Sequence, residues 1–90
     1  MKPVGYGQIT ALAGPKGLTS ASIPDTATLA LVQAENQDVR WRDDGTDPTA
    51  TVGMILAEGD ILQVERGSLN RIRFIQSAAG AKLNVSFFRQ

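Results

Sequence analysis

Ninety residues carry nine basic and nine acidic side chains, with no cysteine and no histidine. That excludes disulfides and thiolate metal sites, and removes the commonest metal ligand and the usual general base near neutral pH. A single small domain is expected, burying only about 60% of its unfolded surface; with no disulfide or metal to add margin, oligomerisation is the remaining device, and zero net charge gives no reason to expect nucleic acid as a partner.

The chain opens Met1-Lys2-Pro3-Val4-Gly5-Tyr6-Gly7, without the apolar run of a signal peptide, and no later stretch approaches membrane-spanning length. The expectation is a soluble chain made in the cytoplasm, with no membrane partner. Pro3 and Gly5 read as turn residues, which places a first strand over 7–12. Gly14-Pro15-Lys16-Gly17-Leu18-Thr19 approaches a phosphate loop but lacks its spacing and a following helix. Residues 1–26, rich in Gly, Pro and Ala, are read as an arm with the first strand, suited to lying across a neighbouring subunit. Residues 27–90 form the body of the same domain.

Turn signals then recur at Ile23-Pro24-Asp25, Glu35-Asn36-Gln37-Asp38, Asp43-Asp44-Gly45, Asp47-Pro48, Glu58-Gly59-Asp60, Gly67-Ser68 and Ala79-Gly80. The apolar runs between them give strands over 27–34, 39–42, 51–56, 61–65, 71–76 and 82–89. Segments 27–34 and 49–57 have helical features, Ala and Leu in the first and an Asp-Pro start in the second. Alternation of Leu29 and Leu31 with Ala30 and Val32, and the Thr51-Val52-Gly53 run, favour strand in both. The fold class that follows is all-β: one compact antiparallel sandwich with jelly-roll-like wrapping.

Alternation also assigns faces. Val39 and Trp41 share one side of their strand, and Arg40 and Arg42 the other. Ile72 and Phe74 point inward while Arg71 and Arg73 point outward. Leu83, Val85 and Phe87 oppose Asn84, Ser86 and Phe88, so Phe88 is expected to meet a neighbour. Trp41, beside Val39, is read as core; the competing reading, a sugar-stacking platform, is poorly served by one tryptophan and one tyrosine.

Two constellations stand out. Arg40, Arg42, Arg71 and Arg73 form a basic face suited to bidentate pairing with a carboxylate-rich partner, against the plainer reading of a solvated face with scattered ion pairs. Asp43, Asp44 and Asp47 offer hard oxygen atoms, yet lack the ligand spacing of a calcium loop, and Asp44-Gly45 with Asp47-Pro48 is what turn chemistry demands. No metal or cofactor is therefore expected. No serine or threonine has a histidine to activate it and no two carboxylates are singled out, so no catalytic residue is assigned. The candidate partner interface is Arg40, Arg42, Asp43, Asp44, Asp47, Arg71 and Arg73.

Several pieces of the chain resemble short proteins of tailed bacteriophages described as hypothetical or virion structural proteins. They are Leu31-Val32-Gln33-Ala34-Glu35, Val39-Arg40-Trp41-Arg42-Asp43-Asp44-Gly45-Thr46-Asp47-Pro48-Thr49, Val52-Gly53-Met54-Ile55-Leu56, Ile72-Arg73-Phe74-Ile75, and Ala81-Lys82-Leu83-Asn84-Val85-Ser86-Phe87-Phe88-Arg89. Together these span about two-thirds of the chain, from Ala27 to Arg89. The resemblance implies a virion structural protein at the capsid surface, assembled in the host cytoplasm. Its partners would be the major capsid protein or another virion protein, and its own copies as a dimer or trimer. Capsid decoration or cementing is the leading role; a tail, neck or fibre-base component and a small carbohydrate-binding module are the alternatives.

Overall fold

The computed structural model describes residues 1–90. Eight strands form two four-stranded antiparallel sheets: β1 (Lys2–Ile9), β2 (Lys16–Gly17), β3 (Leu29–Glu35), β4 (Val39–Arg42), β5 (Met54–Leu56), β6 (Ile61–Glu65), β7 (Arg73–Gln76) and β8 (Lys82–Arg89). One sheet runs β1-β8-β3-β6, the other β2-β7-β4-β5. The pairing is nested: β1 with β8, β2 with β7, β3 with β6 and β4 with β5. A ribbon of paired strands folded over on itself produces this order, as in double-sheet β architectures. It leaves β5 and β6, consecutive in sequence, as the two sheet edges on one side of the sandwich.

The all-β antiparallel sandwich is as the alternation implied, and strands 39–42, 61–65 and 82–89 fall where the turn residues bracket them. Neither segment with helical features contains a helix; the only helical turns are 3-10, at Leu18–Ala21 and Arg66–Ser68. Others shift. The first strand lies over Lys2–Ile9 rather than 7–12, because Pro3 and Gly5 sit at an irregularity of an edge strand, where the missing N–H and a register shift are tolerated. Residues 2–9 thus pair within the chain's own sheet. The two-residue β2 has no alternation to reveal it. β5 starts at Met54, after the isolated bridge between Thr49 and Val52, and β7 starts at Arg73, leaving Arg71 in the preceding loop.

Between the sheets lies one core in which Leu12, Leu18, Val32, Val39, Phe74, Leu83, Val85 and Phe87 are wholly buried. Large and small residues alternate across it: Phe87 lies between Gly5 of β1 and Ala30 of β3 in register. The segment after β2 then crosses the inner side of β1. A Cβ on Gly7 would stand 2.9 Å from both the Cβ and the carbonyl oxygen of Ala21, and one on Gly5 would stand 2.9 Å from Pro24 Cγ. Glycine here admits a second backbone, and that crossing closes the side on which β2 is too short to cover the core. Trp41 faces inward on the same side of β4 as Val39, with Phe74 and Met54 as its in-register neighbours, but it is half-buried at the rim of the core rather than central.

Candidate interaction surface

The outer face of the β2-β7-β4-β5 sheet collects three of the four expected arginines. Arg40 pairs in register with Ile55 on one side and Ile75 on the other; Arg42 stands opposite Arg73. Partners in register share a face, so the surface reads as an arginine flanked by two isoleucines beside an arginine pair. Met54 and Ile55 on β5 and Val52 just before it are each more than half exposed. A short edge strand of consecutive apolar residues does not show by its pattern which of them is left in solvent. Val52, Met54 and Ile55 escaped the sequence reading for that reason.

Each arginine is held differently. Arg42 donates through Nε and Nη2 to the two carboxylate oxygens of Asp44, at 3.1 and 2.5 Å, in the only ion pair of the chain. The backbone N–H of Thr46 also donates to Asp44, at 3.3 Å. The Arg42 hydrogen bonds and then that of Thr46 hold the Asp44 carboxyl below its ordinary range, and Asp44 raises the Arg42 guanidinium in turn. Both groups are solvated, so the pair orders the loop more than it stabilises the fold. Arg40 lies along the sheet and donates through Nη1 to the carbonyl of Gly53 at 2.9 Å, while its Nε is buried with no partner. Arg73 donates to the carbonyl oxygens of Asn70 and Ile72, at 3.2 and 3.1 Å, and its guanidinium covers Gly17, where a Cβ would stand 2.7 Å from Nη1.

The remaining predicted residues lie around the 43–53 loop. Arg71 reaches it from the opposite loop, within 3.4 Å of where a Cβ on Gly45 would be. Asp43 accepts a long 3.5 Å hydrogen bond from Ser68 Oγ, and Asp47 is exposed and in no ion pair. The three aspartates do not converge: no group of three carboxylates in the chain is arranged to hold a metal ion. Arg40, Arg42, Arg73 and Asp44 therefore share one surface, Arg71 borders it, and Asp43 and Asp47 belong to the loop beyond. Arg40, Arg71 and Arg73 have no carboxylate partner, so the face has net positive charge within a chain that is neutral overall.

The outer face of the other sheet differs in kind. Tyr6, Ser86, Leu31 and Gln63 form a cross-strand row without a charge. Asn84 joins three strands there, accepting from Tyr6 Oη at 2.8 Å and Gln8 Nε2 at 3.0 Å and donating to Glu35 Oε1 at 3.0 Å. Phe88 is half-buried in the row between Pro3 and Leu29, so its own sheet supplies part of the cover that a neighbour was expected to give. No protein-family model, curated protein or solved structure matches the chain.

Proposed function

We propose that this chain is a non-enzymatic structural protein of a tailed-phage virion that decorates the capsid and bridges adjacent shell subunits. The observation that carries the reading is the outer face of the β2-β7-β4-β5 sheet. There Arg40 and Arg73 have no carboxylate partner, Ile55 stands exposed beside Arg40, and the unpaired Arg71 borders the face from the loop before β7. Arginine is enriched where proteins meet, and it pairs bidentately with carboxylates. The resemblance of the 39–49 stretch to virion proteins supplies the class of partner. Binding would act by adding burial and charge-assisted hydrogen bonds across joints between subunits, with no cofactor and no chemical step.

The test is co-sedimentation of the purified protein with undecorated heads. The expected result is saturable binding that weakens by about tenfold or more when Arg71 and Arg73 are both changed to glutamate, since like charges then face the acidic partner. Absence of any sedimentable complex refutes the capsid role; binding to purified tails or necks instead moves the protein to that part of the virion. A second reading, a carbohydrate-binding module, rests on the half-buried Trp41, which lines shallow clefts on two sides, one with Gln63 and Ser68 and one with Asp44 and Val52. It predicts a tryptophan emission that shifts on adding an oligosaccharide.

A further inference from the structure

We infer that the free edge of β6 is a docking site for a second copy of this chain, paired about a two-fold axis through Gln63. The four sheet edges are not equivalent. β1 is blunted by Lys2, by Pro3 and by the irregularity that follows it, and β2 and β5 have two and three residues. β6 has five residues, Ile61–Glu65, with no proline, lysine or bulge, and it begins at Ile61, which is 61% exposed. The backbone N–H of Ala34 on β3 donates to the Asp60 carbonyl. Antiparallel ladders bond at alternate residues. Residues 60, 62 and 64 therefore turn their main-chain groups toward β3, while Ile61, Gln63 and Glu65 turn theirs outward, unpaired.

The sequence around this edge is self-complementary. An antiparallel two-fold through Gln63 sets Gln63 against Gln63 of the second copy and Ile61 against its Glu65, so each outward-turned residue meets an outward-turned one and the ladder closes. Leu62 then meets Val64 of the second copy on the inner face and carries the core across the joint. At the ends, Asp60 meets Arg66 of the second copy, and Arg66 meets its Asp60; both side chains are exposed and in no ion pair within the chain. Parallel pairing in register would instead oppose Asp60 to Asp60 and Arg66 to Arg66, which like-charge repulsion disfavours. The charges thus choose the orientation that the backbone can satisfy. The result is one continuous eight-stranded sheet across two subunits, and it covers the cleft that Trp41 shares with Leu62 and Val64.

The contact is short, below the standard size of about 800 Å² per partner, so the dimer is expected to dissociate in the micromolar range. Sedimentation equilibrium of the purified chain from micromolar to millimolar concentration tests this without heads, independently of the virion reading. The expected results are a monomer–dimer equilibrium and a blue shift of Trp41 emission that follows the dimer fraction. Gln63→Pro removes an outward N–H and leaves the β3 ladder intact, so it should give a folded monomer. Asp60→Arg or Arg66→Asp alone should weaken the dimer by about tenfold or more, and the double reversal should restore it. A wild-type chain that stays monomeric to millimolar concentration overturns the proposal. So does a dimer unaffected by Gln63→Pro, or one that the double reversal does not recover. A monomer that binds heads through β6 would overturn it as well, by giving the edge to a shell subunit.

Discussion

Gly53→Ala isolates how the 43–53 loop is fastened to the arginine face. Gly53 has φ +142°, and a Cβ there would stand 3.0 Å from the carbonyl oxygen of Trp41, 3.2 Å from Pro48 Cβ and 3.3 Å from Arg40 Cβ. Two costs add. A conformation reserved for glycine costs about 1–3 kcal/mol for any other residue, and forcing a methyl group into packed backbone costs about 1–3 kcal/mol more. Partial relaxation of the loop trims the sum, leaving a destabilisation of about 2–4 kcal/mol. A domain of this size has roughly 5–13 kcal/mol of total stability, so the midpoint of thermal unfolding should fall by roughly 10–25 °C. Urea denaturation followed by circular dichroism measures the loss of free energy, and a thermal scan the shift in midpoint. Gly14→Ala is the control, since nothing lies within 4 Å of a Cβ there; it should be neutral or stabilising by up to about 1 kcal/mol. A Gly53→Ala change below about 0.5 kcal/mol, the range of ordinary surface substitutions, would refute the reasoning.

Three further outcomes follow from the same geometry. Gly7→Ala should destabilise by about 1–3 kcal/mol, and Ala21→Gly should recover only part of it, because the Ala21 carbonyl is as close as its Cβ; full recovery in urea denaturation would show that the backbone contact is not the cause. Phe74→Ala, at a wholly buried site, should cost about 3–5 kcal/mol, whereas Phe88→Ala on the half-buried outer row should cost clearly less; equal losses would contradict the assignment of faces. Asp44 should titrate below the ordinary aspartate value of about 3.9, since its carboxylate is held by Arg42 and Thr46. A carboxylate whose folded-state pKa is depressed contributes while ionised and loses that contribution as pH falls through the folded value, so ordering of the loop should persist at neutral pH and fade only in the acid range. NMR titration checks this, and Arg42→Ala should move the Asp44 midpoint back up.

Much of the sandwich was legible because its signals are local. Arg71-Ile72-Arg73-Phe74 alternates, and Ile72 and Phe74 are buried accordingly; Val39 and Arg40 divide between faces in the same way. What escaped depends on neighbours distant in sequence. Pro3 and Gly5 have turn chemistry, yet they lie in an edge strand because β8 pairs with them and Pro24 fills the space beside Gly5. Trp41 alternates like a core residue but stands near the sheet margin, where β5 is too short to cover it. The arginine face was visible as a pattern, while its division was not: only the folded loop determines that Arg42 meets Asp44, that Arg40 turns to the Gly53 carbonyl and that Arg73 turns to main chain.

The same contrast bears on how a thin core persists. A ninety-residue chain without disulfides gains little from size alone, and the fold spends its special residues unevenly. On the β1 and β2 side, proline, an irregular register and two glycines under a crossing segment seal the sandwich. On the β5 and β6 side Met54, Ile55 and Ile61 stay exposed. If exposure there were mere tolerance, the flanking charges could have any sign. Instead Asp60 and Arg66 bracket β6 with opposite signs, the one arrangement that a two-fold antiparallel partner neutralises at both ends. In the pairing proposed above, a second copy would complete that side.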